Sequence, residues 1–496
     1  MNDGTLLAGV DLGSNSFRLE IARFEHGQVQ RVEYLKETVR LGAGLDESRN
    51  LAGASVQRAL DCLARFGERL AGFRKAQVRA VATQTLREAR NREEFLRRAQ
   101  SRLGFPIDVI SGREEARLIY QGVSRLLPQS DERRLVVDIG GRSTEMILGQ
   151  QYDAKEMESY RVGSVAWSMR YFPDGEFTAA AFDRAQVAAQ AILDDAVERY
   201  KRGSHWDVAY GSSGTIGAVA DILAAAGHDA ITRDGLQWLM QQLVAGRHAD
   251  RIRLDGLKDD RKPVLGGGLS VLLAVFELLG IQRMQAADGA LRQGAIYDLL
   301  DREQAAGDVR SATVQRLATK FGVDQAQARR VGTMAGHLLR GLRRGLDTQA
   351  ELTRQERKLG WAAMLHEIGS LVSHSDYHKH GAYILDNADA PGFAQPELHH
   401  LGLLVLGHRG KLRKLEADFG DELFVQQLLC LRLAVILCHA RRDPKADGLQ
   451  LQLEQQQFRM AVPQAWARAF PQSAHLLREE AVAWQKMPWS FAVTVT

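Results

Sequence analysis

Residues 136–145 read VVDIGGRSTE, and residues 9–18 read GVDLGSNSFR. Each is an apolar strand that ends in an aspartate and breaks into glycine, serine and small polar residues, so one device stands twice in the chain. A strand-terminal Asp followed by Gly13-Ser14-Asn15-Ser16 turns backbone N–H groups and short hydroxyls toward one point, and glycine lets a ligand approach closely. Those donors suit phosphate oxygens. Gly140-Gly141-Arg142-Ser143-Thr144 repeats the pattern. A third turn, Gly211-Ser212-Ser213-Gly214 in YGSSGTIGAVADIL, runs into a helix whose N-terminus favours an anion. Asp11 and Asp138 would repel phosphate there unless a divalent cation lay between, and magnesium is the natural bridge.

Outward from these turns, β-type apolar runs alternate with helix-length segments from Thr5 to about Arg302. They are LLAGVD, FRLEIARF, a helix near Ala52–Ala71, QVRAVAT, a helix near Asn91–Arg102, IDVI and a helix from Arg113. Such order predicts an α/β fold with parallel or mixed sheets. It restarts with RLVVDIG, TEMILGQ, a helix near Thr178–Tyr200 and WDVAYG, and Asp138 follows Asp11 by 127 residues. An internal repeat on that scale predicts two similar domains facing each other. After about Glu303 apolar residues recur at helical spacing to about Arg442, whereas LQLQLEQQQFRMAVP and the closing WSFAVTVT alternate as strands do. The expected domains are residues 1–124 and 125–303, both α/β, an all-α region over 304–425 and a small α+β cap over 426–496.

A length of 496 residues fits roughly three domains. Charged residues at 25% and hydrophobic ones at 45% argue against disorder, and no run of about 18 apolar residues is read as a membrane span. Asp3 stands where a secretory leader carries basic charge, so a cytoplasmic protein without stable membrane insertion is expected. Cys62, Cys430 and Cys438 are too scattered for a disulfide framework or a zinc ribbon and are expected to be reduced and buried. A net charge of +4 gives no reason to expect a nucleic-acid partner.

Together, GVDLGSNSFRLEIA, TQTLREA, ISGREEARLIYQGV, VVDIGGRSTEMILG, YGSSGTIGA and DGALRQGAIYDLL resemble the exopolyphosphatase and guanosine pentaphosphate phosphatase family, within the actin-like and sugar-kinase-like ATPase superfamily. The resemblance runs over nearly the whole chain. The helical stretch GWAAMLHEIGSLVSHSDYHKHGAYILDNADAPGF is similar to the C-terminal domain of the long bacterial exopolyphosphatases. The implied fold is two actin-like (ribonuclease H-like) domains, then an all-α HD-like domain and a small α+β cap. A homodimer is implied as well, and magnesium, with a monovalent cation such as K+ beside it, is the expected cofactor.

Adjacent helical residues point about 100° apart, so Glu114 and Glu115 cannot both face one cleft. The resemblance implies that Glu115 is the catalytic base, which aims the water that attacks a terminal phosphorus. It further implies that Asp138 and Glu145 serve the metal or that water. Asp11, the three glycine turns and above all Ser14, Asn15, Ser16, Gly141, Ser143 and Thr144 would hold the phosphates, and Arg87 would neutralise them. The family usually has a third glycine where this chain has Arg142. An arginine there either adds a phosphate donor or obstructs the loop, and it would be strained if the position needs a positive φ.

In the helical region His366, His374, His378, His380 and His408 resemble an HD-type metal site. The doublet, however, is His366-Glu367, and Cys438 stands where a final Asp ligand is expected. The expectation is a relic scaffold without a catalytic metal. DYHKHG and GHRGKLRKL gather His378, Lys379, Arg409, Lys411, Arg413 and Lys414 into a basic strip suited to tracking a polyanion. The leading expectation is therefore an exopolyphosphatase that removes terminal orthophosphate processively from inorganic polyphosphate. The alternative with the same chemistry is hydrolysis of the 5′ γ-phosphate of guanosine pentaphosphate, for which no guanine-pocket signature is evident. A sugar-kinase-like phosphotransferase and a non-catalytic polyphosphate or nucleotide sensor are more remote.

Overall fold

The structure, a computed structural model, describes residues 3–26, 28–128, 130–201, 205–303, 308–343, 345, 347–444, 446 and 448–496. The chain divides into two compact units, Met1–Asp308 and Val309–Thr496. The expected boundary at 303/304 adjoins residues 304–307, which lie outside the described residues.

The first unit holds two sheets built to one plan. Strands β1 (Thr5–Leu12), β2 (Ser16–Glu25), β3 (Gln28–Thr38), β4 (Val78–Ala82) and β5 (Ile107–Val109) lie in the order β3-β2-β1-β4-β5. The first three are antiparallel neighbours, and β4 and β5 run parallel to β1. Strands β6 (Arg133–Ile139), β7 (Thr144–Gln150), β8 (Asp153–Tyr160), β9 (Val208–Ser212), β10 (Ile231–Thr232) and β11 (Arg283–Ala286) repeat it in the order β10-β11-β9-β6-β7-β8. The repeat reaches single residues: Asp11 pairs in register with Arg18, and Asp138 with Glu145. We call the two halves the first and second lobe.

The central strands are apolar because both faces are covered. On β6, Leu135, Val137 and Ile139 enter one core, while Val136 enters another with Ile147 and the helix Gly112–Ser124. Outer strands β3 and β8, QVQRVEYLKET and DAKEMESY, lie outside the sequence-based expectation. They are charged, largely exposed edges, so no apolar alternation marks them. The helix Asp259–Leu279 is long and apolar enough to cross a membrane by length and composition, contrary to the expectation that no such run exists. Its α-helical part, Lys262–Leu279, is mostly buried and serves as a core helix of the second lobe, which is why it is apolar all round.

The helices Gly112–Ser124 and Leu291–Glu303 cross at closest approach where neither has a side chain. A Cβ on Gly294 would stand 1.8 Å from the Leu118 carbonyl oxygen, and one on Gly122 would stand 2.2 Å from that of Ala290. Beside the crossing, Arg117 donates to both oxygens of Glu114 at 2.8 Å and to Asp298 at 2.5 Å, and Arg302 donates to Asp298 at 2.6 Å.

The second unit is helical from Val309 to Leu437 and ends in β12 (Gln450–Glu454), β13 (Gln457–Val462) and β14 (Ser490–Val495), ordered β12-β13-β14. One core joins Leu359, Trp361, Leu404 and Leu428 to Phe458, Trp484 and Phe491. The expected boundary at 425/426 falls inside the helix Glu422–Leu437, which contributes to that core. Cys62, Cys430 and Cys438 are free and buried.

Candidate active site

The cleft between the lobes of the first unit is built by the repeated turns. In the first, Ser14 and Asn15 carbonyls accept from the backbone N–H groups of Gly42 and of Val39 and Arg40. In the second, Gly140 and Gly141 carbonyls accept from Ser164, Val165 and Ala166. Since C=O and N–H point opposite ways across a trans peptide, tying the carbonyls back turns the amide edge of each loop toward the cleft. The loops touch: a Cβ on Gly141 would lie 3.0 Å from Ser14 Cβ.

A pocket between them is lined by Asp11, Gly13, Ser14, Asn15, Ser16, Glu115, Asp138, Gly140, Gly141, Ser143, Ser213 and Gly214, all expected from the sequence. Ser16 Oγ and Arg18 Nε are buried there without partners, donors left for a ligand. Ser213 sits at φ +96°, a strained conformation for a side chain, and its Oγ accepts from the Thr215 and Ile216 amides to cap the helix Ser213–Ala225.

Four carboxylates converge. Burial pushes Glu115 up to about 7 and Asp138 up to about 6, Asp11 is raised, and Glu145 is raised well above the usual range. Burial is the largest cause in each. Arg87 pulls Glu115 back down, whereas the charges of Asp11 and Asp138 push it further up. Glu115 Oε2 accepts from Arg87 Nη1 at 2.8 Å. Glu114, fully buried, is the structural member of the pair, held by Arg117.

Six expected residues lie elsewhere. Arg87 is engaged with Glu115, Gln84 and the Ile110 carbonyl and does not line the pocket. Arg142 keeps a negative φ, so the feared strain does not arise. Its guanidinium turns away to Glu88 at 2.9 Å and the Gly42 carbonyl at 3.2 Å, drawn by that carboxylate, so it is neither a phosphate donor nor an obstruction. Glu145 stands behind the lining and accepts from Ser159 Oγ at 2.7 Å. Thr144 Oγ1 donates to the Val162 carbonyl and Ser212 Oγ to the Gly289 carbonyl, while Gly211 packs against Ile216 and Met284. Sequence reasoning missed Arg18, Thr83, Ser164, Thr215 and Arg261 in the lining. The register of the opening hairpin, Asp11 opposite Arg18, was a usable signal for the first.

A second cavity, of about 300 Å³, adjoins the pocket and shares Arg18, Ser213, Gly214, Arg261 and Ala290 with it. Lys36, Lys258 and Arg292 add positive charge, offset in part by Asp221 and Asp288, and Tyr34, Gly217 and Ala218 add apolar surface. Burial, and after it the neighbouring Arg18 charge, lower the affinity of Arg261 for its proton, although Asp260 stands 3.8 Å from Arg261 and Asp11 3.4 Å from Arg18.

Among the described residues no group of three or more His, Cys, Asp and Glu is arranged to hold a metal by itself. Hard, buried carboxylates that raise one another's proton affinity nonetheless suit Mg2+, which takes one or two carboxylates and completes its shell with water and substrate phosphates. In the second unit His366 and His408 are buried with ring centroids 5.2 Å apart, and Glu367 is paired with Arg441 at 2.9 Å. Arg409 covers the Tyr377 ring at 4.7 Å, and His378 Nε2 and Lys414 Nζ approach Gly410, so three of the strip residues gather at one turn. Lys379 is held by Asp376 at 2.9 Å, and Lys411 and Arg413 are exposed.

A family model described as the Ppx/GppA phosphatase family matches residues 20–303, and one described as domain III of that family matches residues 309–481. The Vibrio cholerae serotype O1 protein named guanosine-5′-triphosphate,3′-diphosphate pyrophosphatase is 37% identical over 98% of each chain. The protein of that name from Photobacterium profundum is 38% identical over 98% of this chain and 97% of its own. The crystal structure of the Aquifex aeolicus PPX-GPPA enzyme aligns with a TM-score of 0.50 at 26% identity, covering 59% of this chain and 98% of that one.

Proposed function

The chain belongs to the Ppx/GppA phosphatase family, and on that premise we propose that it hydrolyses the terminal 5′ phosphoanhydride of guanosine pentaphosphate, releasing orthophosphate and guanosine tetraphosphate. Polyphosphate, placed first on the sequence, becomes the comparison substrate. The observation that carries this choice is the pair of cavities joined at Arg18 and Arg261. A linear chain has phosphates along one line, whereas the pentaphosphate carries two groups on one ribose. The 5′ chain fits the amide-lined pocket, and a 3′-diphosphate fits the guanidiniums of Arg18 and Arg261 that line both cavities. The names of the full-length relatives agree with this reading.

In the mechanism Glu115 accepts a proton from a water and aims it at the terminal phosphorus, in line with the leaving phosphate. Arg87 holds the carboxylate that does so. Amides and hydroxyls of Ser14, Asn15, Ser16, Gly141 and Ser143 bind the oxygens that gain charge. Asp138 and Asp11 would hold Mg2+, with Glu145 behind them, and the ion supplies charge neutralisation between those carboxylates and the phosphates. The protein is further proposed to act as a cytoplasmic homodimer.

Phosphate release from the pentaphosphate and from long polyphosphate, with Mg2+, tests the reading in wild type and Arg261→Ala. The expected result is faster turnover of the pentaphosphate, with a KM for it that rises at least about tenfold in the variant while polyphosphate turnover changes little. Faster polyphosphate turnover, unaltered by the substitution, would overturn the choice of substrate.

A further inference from the structure

One chain of hydrogen bonds runs from the second phosphate loop to Glu115 through side chains that do not line the pocket. Arg142 Nε and Nη2 donate to Glu88 Oε2 at 3.1 and 2.9 Å, and Nη1 donates to the Gly42 carbonyl at 3.2 Å. Glu88 ends the short helix Gln84–Glu88, and its other oxygen accepts from Gln84 Nε2 at 2.5 Å. Gln84 Oε1 accepts from Arg87 Nε and Nη2 at 3.1 and 2.6 Å, and Arg87 Nη1 donates to Glu115 Oε2 at 2.8 Å. Each carboxylate thus has one guanidinium: Arg142 for Glu88, Arg87 for Glu115. The Gln84 amide lies between the two pairs with its donor on one and its acceptor on the other.

This matching is fragile. The Glu88 side chain is 17% exposed, and that of Arg142 is 21% exposed, so water neutralises neither well. If Arg142 were withdrawn, the cation nearest Glu88 along this chain would be Arg87, one residue away and already bonded to the same Gln84. Two carboxylates would then compete for one guanidinium. Arg142 rides on the second lobe, whereas Gly42 and Glu88 belong to the first, so the pairing exists only with the lobes together.

We propose that Arg142 is a positioning residue for Glu115: by engaging Glu88 when the lobes close, it leaves Arg87 on the carboxylate that aims the attacking water. The inference rests on the assignment of Glu115 as the base. It makes activation of the water conditional on closure, so an open cleft carries a misaligned base.

The test compares wild type, Arg142→Ala, Arg142→Lys, Glu88→Gln and the double variant Arg142→Ala/Glu88→Gln, each with melting temperature recorded. Arg142→Ala is expected to lower kcat roughly tenfold or more with KM changed less than about threefold, because the base is misplaced while the phosphate donors are intact. Arg142→Lys is expected to retain an intermediate kcat. The double variant is expected to regain most of the lost kcat, because a glutamine at 88 no longer draws Arg87. An unchanged kcat in Arg142→Ala, a rise in KM alone, or a double variant as slow as the single one would overturn the proposal. If the wild type hydrolyses neither the pentaphosphate nor polyphosphate, the proposed function falls instead. Hydrogen exchange across residues 84–88 then decides: faster exchange in Arg142→Ala supports the chain of contacts, and equal exchange overturns it.

Discussion

Glu115 shows how one residue is tuned between folding and chemistry. Its carboxyl is raised to about 7, chiefly by burial, so it is ionised only near and above neutrality. The kcat/KM of the free enzyme is therefore expected to fall about tenfold per pH unit below that value, a profile measurable with either phosphoanhydride. Glu115→Gln is expected to reduce kcat by roughly 10²–10⁴-fold, read as phosphate release, and to remove that limb. The stability effect has the opposite sense. A carboxyl whose proton affinity is higher folded than unfolded contributes stability that is present below its unfolded value near 4.5 and is lost as pH rises through about 7. Glu115→Gln is thus expected to raise the melting temperature at pH 8 by about a few degrees, and by less at pH 5. The neighbouring Glu114 was legible only as half of a pair on the helical wheel. Burial against Arg117 decides its role, and no local pattern announces a partner three residues away as structural.

Among elements, the helix crossing is the strongest mechanical statement in the first unit. Gly294→Ala would force a Cβ into the Leu118 carbonyl, and a loss of about 3 kcal/mol or more in unfolding free energy is expected from denaturant melts. Asp298→Ala, which takes a buried carboxylate away from Arg117 and Arg302, is expected to cost about 3–5 kcal/mol by the same measurement. The inner strands and the glycine turns were readable from the sequence, because coverage on both faces writes an apolar run and a turn writes glycine and serine. The edge strands β3 and β8 were not, since exposed faces select charge and alternate weakly. Arg261 was invisible for another reason. It stands in a 3₁₀ turn, Asp259–Arg261, far in sequence from every glycine loop, and only folding brings it to Gly214.

At the scale of the molecule, the two units respond to different protons. In the second, His366 is lowered and His408 well below its ordinary value, both by burial, and His378 is pushed down to about 4 by burial and by Lys414 and Arg409. Groups lowered on folding give stability that is complete above about 6.5 and is lost as pH falls. Calorimetry of the full chain is expected to show a transition of the second unit that moves down between pH 7 and 5, where the Glu115 contribution in the first unit moves up. The repeat itself carries a last consequence. Asp11 faces Arg18 in one lobe, and Asp138 faces Glu145 in the other, at equivalent rungs of the same hairpin. Two identical halves would carry two arginines at these rungs or two acids, making a site either uniformly attractive or uniformly repellent to phosphate. A single polypeptide can differ between its halves, so polarity across the cleft is a property that exact two-fold symmetry forbids and this chain possesses.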